Sequence, residues 1–189
     1  MITAPEIAQS LYGAWRLARL DASGLDLFGD DAEAFWRSFY AMLIAAPGFV
    51  ILVALRLSGL ELTSGPIHTL LIEAISYVVG WFAFPFIMLY VADQLDRRER
   101  FFRYIAAYNW AVVLQIALLL AVNFLVLGVT MPAVVTGYIG FATTVAVLVY
   151  WWFIARVGLD ISGRAAAAVA GLDLVLSFLL SVVTIAMLR

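Results

Sequence analysis

The sequence predicts an all-α polytopic membrane bundle of five transmembrane helices, preceded by an amphipathic cytoplasmic helix. Three observations predict it. Hydrophobic residues make up 66% of the 189 residues and charged residues only 13%, against roughly 45–50% and about 25% in soluble domains. Mean hydropathy is +1.05. Five stretches are long and apolar enough to cross a hydrocarbon core, which takes about 20 residues in helix. Such a composition excludes a water-soluble globule, a disordered chain and a nucleic-acid binder.

The chain divides into an N-terminal cytoplasmic segment, 1–35, and a transmembrane domain, 36–189. In the first, Pro5 suits a first helical turn. Ile7, Leu11, Trp15 and Ala18 then fall on one face, with Arg16 and Arg19 toward the other. The pattern fits a helix lying in the membrane interface, and equally one docked on the cytoplasmic ends of the spans. No cleaved signal peptide is expected, because this segment has no continuous apolar run. The acidic stretch 21–31 lacks oxygen ligands at the alternate positions of a calcium loop after Ser23. It reads instead as a turn and a capping box, with Asp30 as N-cap and Glu33 three residues on, opening the helix of the first span.

The spans follow at about 39–57, 67–92, 104–127, 132–155 and 165–188. Glu73 interrupts the second and Asp173 the fifth. The charge-free run 104–155 is too long for one span, and Gly128-Val129-Thr130-Met131-Pro132 reads as the turn that divides it. Backbone groups in lipid must bond within their own segment, so all five are helices. Pro47 and Pro85 lie inside spans one and two. They remove the donors for the carbonyls of Leu43 and Trp81, and a kink is expected at each.

Arginine sets the expected orientation. All eleven basic residues are Arg, and nine of them fall on the side of the N-terminus; only Arg56 and Arg189 fall on the other. The positive-inside rule then places the N-terminus in the cytoplasm and the C-terminus outside. Tyr150, Trp151 and Trp152, just before Arg156, fit an aromatic belt at the cytoplasmic headgroups. Arg without Lys, with abundant Ala, fits a GC-rich bacterial genome, so the expected location is a bacterial inner membrane.

Ionisable groups inside spans are costly and face protein or water. Asp173 lies nine residues past Arg164, about 13 Å in from the cytoplasmic side. Ser177 and Ser181 follow at i+4 and i+8, with Thr184 beyond, so one face of span five is polar and is expected to point into the bundle. Alanines and Gly171 at small-residue spacing allow neighbouring helices to approach it. Glu73, about 9 Å from the outer side, and Gln115 are the other deep polar groups; Asn109 is shallower, on the cytoplasmic side. These six residues form the expected intramembrane polar cluster. Its role is either interhelical hydrogen bonding, a proton or substrate path, or contact with another subunit; Glu73 is expected to reach the outer headgroups.

The loop 93–104 is the richest in charge. Arg97, Arg98, Arg100 and Arg103 beside the cytoplasmic leaflet are expected to hold anionic lipid headgroups at about 1 kcal/mol each, or to serve topology alone. Asp93, Asp96 and Glu99, three apart, would share a helix face and pair with them. Cysteine is absent and His68 is the only histidine, so thiol chemistry and a histidine metal site are excluded. No catalytic motif or phosphate loop is present, and neither an enzyme nor a cofactor is expected.

Five spans, a cytoplasmic N-terminal segment and a short outer C-terminus form the layout of the Yip family of membrane proteins. Leu11-Tyr12-Gly13 is similar to the Tyr-Gly pair ahead of the first span there. Phe101-Phe102-Arg103-Tyr104-Ile105-Ala106-Ala107-Tyr108-Asn109-Trp110 resembles the basic-to-aromatic lead into the third span of bacterial members. The resemblance implies a non-enzymatic helical bundle that binds a partner or shapes membrane. The GTPase and vesicle-traffic roles of eukaryotic relatives do not carry over to a bacterial chain. The expected function is thus an interaction, scaffold or accessory subunit in the bilayer. Its expected contacts are lipid and either a membrane-protein partner or a second copy of the chain. The alternative is a small transporter, channel or lipid-handling protein using Asp173 with Glu73 or Gln115.

Overall fold

The computed structural model describes residues 2–58 and 65–188. Among them are α1 (Ala4–Ala18), α2 (Ala32–Ser38), α3 (Tyr40–Leu57), α4 (Pro66–Gln94), α5 (Phe101–Gly128), α6 (Ala133–Leu159) and α7 (Gly163–Leu188). Short 3-10 segments occupy Ala22–Leu27 and Arg98–Arg100. Five helical stretches are long and apolar enough to cross a membrane: Ala32–Leu57, Pro66–Gln94, Arg98–Gly128, Ala133–Leu159 and Gly163–Leu188. The protein is therefore an all-α, polytopic membrane bundle. The helices overrun the sequence-read spans because backbone hydrogen bonding continues past the hydrocarbon, where apolar composition stops. Arg189, used in the orientation argument, lies outside the described residues.

The spans form a ring. Helix α5 packs on α6, α6 on α7, α7 on α4 and α4, more lightly, on α5, which closes the ring, while α3, α1 and α2 pack against α5. Burial is concentrated at one end. On α5 the buried residues run from Phe101 to Ala111, and on α6 from Tyr150 to Leu159. The following turns of α5, and the preceding turns of α6, bury none. The closed end carries α1, α2 and the Arg-rich loops; we call it the N-terminal face. At the far end the helices splay. Both prolines sit within continuous helices, and the Tyr77 hydroxyl donates to the Met42 carbonyl in the turn ahead of Pro47.

Helix α1 is docked on this face, with Ile7 and Leu11 packed against the core as the sequence predicts, but the contact stripe then leaves out Trp15 and Ala18. Gly13, Ala14 and Leu17 are buried, whereas Trp15 remains 53% exposed. The reason is the small residues. A Cβ on Gly24 would lie 2.6 Å from the Gly13 carbonyl oxygen, and a Cβ on Gly13 would lie 2.8 Å from Phe28. The 3-10 segment folds back against α1 through this glycine pair, which a large aromatic could not enter. Tyr150 of α6 then donates to the Ala14 carbonyl at 2.9 Å. Tyr150 and Trp151 are buried, and Trp152 donates to the Gly163 carbonyl. Tyr150 and Trp151 therefore hold the protein together rather than facing headgroups, whereas Trp152 stays half-buried beneath Arg156.

The expected capping box at α2 is not formed: the cap moves by one residue and the N3 position then falls on Ala34, which cannot return a bond. Asp31, not Asp30, caps α2, accepting from the Ala34 N–H at 2.7 Å. Asp30 is turned outward to pair with Arg103 at 2.7 Å. A side chain next to the cap is thereby used for tertiary contact, which no local pattern signals.

Three helices that end at the N-terminal face end alike. After α1, α4 and α6, the residues Leu20, Asp96 and Asp160 have φ of 59°, 54° and 51°. The next N–H reaches back five residues in each case: Asp21 to Arg16, Arg97 to Ala92, and Ile161 to Arg156. These are Schellman ends with a non-glycine residue in the left-handed position. Leucine has the least excuse there, since Cβ crowds the carbonyl. Leu20→Gly is expected to raise stability by about 0.5–1 kcal/mol, read as a higher thermal midpoint in detergent.

Candidate functional site

The centre of the ring holds the polar groups. The Tyr108 hydroxyl of α5 donates to Asp173 Oδ1 of α7 at 2.7 Å. The Tyr108 ring is fixed from both sides, by Phe84 at 4.5 Å and Trp151 at 4.6 Å between centroids. With Tyr104 and Trp81 these rings make an aromatic layer that closes the bundle toward the N-terminal face. Asp173 sits on the far side of that layer, itself only 7% exposed.

Beyond it, two cavities open toward the splayed end. One, of about 480 Å³, lies among α5, α6 and α7 and is lined by Gln115, Asn123, Thr143, Trp151, Asp173 and Ser177 among others. The second, of about 280 Å³, lies among α3, α4, α5 and α7, with Arg56, Glu73, Tyr77, Gln115, Asp173 and Ser181 on its wall. Gln115, Asp173 and Ser177 border both. The two cavities therefore meet around the Asp173 carboxylate. Ser177 is exposed although it faces inward, because the cavity there is open.

Bonding capacity separates these groups. Thr143 and Asn123 bond back to carbonyls of their own helices, Ile139 and Leu119. Thr184 donates to the Leu180 carbonyl and accepts from Ser76 of α4 at 2.7 Å. By contrast, Gln115, Ser177 and Ser181 have no side-chain hydrogen bond among the described residues, and Asp173 uses one carboxylate oxygen only. Polar groups at membrane depth are rarely left unsatisfied unless they border water or a ligand.

Glu73 departs from expectation. It is 5% exposed and paired with Arg56 at the end of α3, rather than reaching the outer headgroups. An ion pair with a neighbouring span satisfies the carboxylate more cheaply than stretching to water. Arg56 was visible only as a minority charge in the orientation count. Asn109 stands apart from the cluster. Its Nδ2 donates to Ser38 Oγ at 2.8 Å and Ser38 donates to the Phe35 carbonyl, so it ties α5 to α2 and leaves its Oδ1 unpartnered. Tyr108, Trp151 and Arg56 were missed. The signal for Tyr108 was its position seven residues before Gln115, on the same helical face.

The four arginines of the 93–104 loop are engaged within the protein. Arg103 pairs with Asp30, Arg100 with Asp160 at 3.2 Å, and Arg98 with Asp93 at 3.2 Å. Arg97 donates to the carbonyls of Asp160 and Asp96. Arg98, 72% exposed at its side chain, and Arg100, 42% exposed, keep the most open approach to a headgroup. Asp96 is not on the helix face with Asp93, because its left-handed backbone ends α4.

Outside the membrane, α1 is tied by two carboxylates. Glu6 accepts from the Thr3 N–H and hydroxyl and pairs with Arg37. The Thr3 N–H and hydroxyl, and then Arg37, hold its pKa below the ordinary value. Asp21 is likewise lowered, first by the Ser23 hydroxyl and then by Arg16. For depressed carboxyl pKa values, the stabilisation is present above the ordinary carboxylate range and is lost as pH falls through the lowered values. Docking of α1 is therefore expected to loosen in acid, checked by limited proteolysis of the N-terminal segment from neutral pH downward.

The arrangement offers one carboxylate without a cationic partner, an Arg56–Glu73 ion pair, neutral hydrogen-bonding groups and aromatic walls. Among the described residues no three His, Asp or Glu come together as a metal site. Searches against family models, curated proteins and solved structures find no match to this chain.

Proposed function

We propose that the protein is a non-enzymatic integral membrane protein that takes a small ligand into this cavity, as a small transporter or ligand-handling subunit. In this reading it lies in a bacterial inner membrane with the N-terminal face in the cytoplasm, so the cavity opens outward. The observation that carries it is the set of groups without side-chain partners, Gln115, Ser177, Ser181 and one Asp173 oxygen, on two cavities that lie beyond the buried aromatic layer. A tightly packed scaffold has no use for polar groups kept without partners at membrane depth.

The second reading is an interaction or scaffold subunit, in line with the Yip-like layout. It is favoured by the N-terminal layer, where Tyr12, Trp15 and Trp36 stay exposed around docked helices. The two readings part at Asp173. Asp173→Asn keeps an acceptor for Tyr108, so the fold should hold. Asp173→Leu leaves the Tyr108 hydroxyl unpaired, at about 1 kcal/mol. Both variants are to be compared for thermal stability and for rescue of a deletion phenotype. A stable Asn variant without rescue is expected. Full rescue by Asn would return the protein to the scaffold class.

A further inference from the structure

We propose that the ligand is a lipophilic monocation, such as a quaternary ammonium or amine on an apolar body, held at Asp173 and entering sideways between α3 and α4. This rests on the ligand-cavity reading above and adds to it the chemical class and the route.

The charge follows from the wall. Among the described residues lining the two cavities, the charged side chains are Arg56, Glu73 and Asp173. Arg56 and Glu73 pair with each other and cancel. Asp173 has no cationic partner; its one bond is from a neutral phenol. An uncompensated carboxylate at membrane depth favours a single positive charge. Trp151, Trp81 and Tyr108 border the same space, and aromatic faces attract a weakly hydrated cation where an ammonium with apolar substituents can reach them. A strongly hydrated inorganic ion would gain little from such walls.

The apolar body follows from a third cavity. A groove of about 560 Å³ runs between α3 and α4, lined by Ala46, Phe49, Val53, Ala54, Leu70 and Tyr77 among others. Phe49, Glu73 and Tyr77 border both this groove and the cavity at Asp173. The apolar cleft between two spans and the cavity at the carboxylate are therefore neighbours with a common wall, and the proposed route crosses that wall where the Phe49 and Tyr77 rings part. The Arg56–Glu73 pair stands beside the junction, and the Tyr77 ring lies 4.4 Å from that of Phe49 there. A ligand with hydrocarbon around its charge fits both parts; a sugar or an anion fits neither.

The test is equilibrium dialysis of tetraphenylphosphonium against the purified protein in phosphatidylcholine nanodiscs. The parent should bind saturably, and Asp173→Asn, checked for an unchanged thermal midpoint, should bind at least tenfold more weakly. Asp173→Glu, which keeps the charge, should retain part of the affinity. Tetrapropylammonium should displace the probe at least tenfold better than tetramethylammonium. Equal binding by parent and Asn variant would mean partition into the disc and overturn the proposal, as would equal displacement by the two ammonium ions. Ser177→Cys, labelled with a small maleimide in the same discs, separates the failures. No probe binding with Ser177→Cys labelled overturns the cation and leaves the cavity; an unlabelled Ser177→Cys removes both.

Discussion

Replacing Arg56 by alanine is expected to lower stability by about 3 kcal/mol, more than any surface charge in this chain, because it leaves the Glu73 carboxylate buried and unpaired. Glu73 is 7% exposed at its side chain and Arg56 35%, so the glutamate bears most of the loss while the arginine can turn to water. The converse variant, Glu73→Gln, should cost less than half as much. The double variant Arg56→Ala/Glu73→Gln should recover most of the stability lost by Arg56→Ala alone, since no charge is then stranded. Thermal unfolding of all three in one detergent checks the order. An Arg56→Ala protein as stable as its parent would mean that Glu73 finds water through the cavity.

Gly24→Ala is expected to undock the N-terminal layer. The added Cβ would lie 2.6 Å from the Gly13 carbonyl oxygen and 2.9 Å from the Arg16 Cβ. The first contact is backbone and cannot swing aside. Overpacking of this kind costs about 2 kcal/mol. The loss should be local, because the spans pack on one another without this contact. Limited proteolysis should cut within 1–35 at least tenfold faster, while the thermal midpoint of the membrane domain stays put. Trp15→Ser, on the exposed side of α1, should leave proteolysis unchanged.

The fold was legible because membrane burial writes itself in long apolar runs, and the turn at Gly128–Pro132 was marked by its residues. The polar face of α7 was legible for the same reason: Asp173, Ser177 and Ser181 stand out at i, i+4, i+8 in an otherwise apolar helix. The partners of those groups were not. Arg56 and Glu73 sit 17 residues apart on separate spans, and nothing local says they meet. Tyr108 looked like one more aromatic in the lead into α5. The absence of Trp15 from the α1 contact was hidden because hydrophobic periodicity points to large side chains, whereas the contact there is made by Gly13, Ala14 and Gly24. Asp30 and Asp31 are adjacent acids, and either could have capped α2. Only the position of Arg103 assigns their roles.

On the proposed reading, a polar cavity opens at the far end of the bundle and is sealed at the N-terminal face. The chain has no cysteine, so single substitutions report accessibility without background. Ser177→Cys, Ser181→Cys and, at the N-terminal face, Ser162→Cys are to be treated with a membrane-impermeant charged thiol reagent from each side of sealed vesicles. Ser177→Cys and Ser181→Cys should react from one side only, and Ser162→Cys only from the other. Failure of Ser177→Cys and Ser181→Cys to react from either side, with Ser162→Cys reactive, or reaction of all three from the same side, would contradict the account.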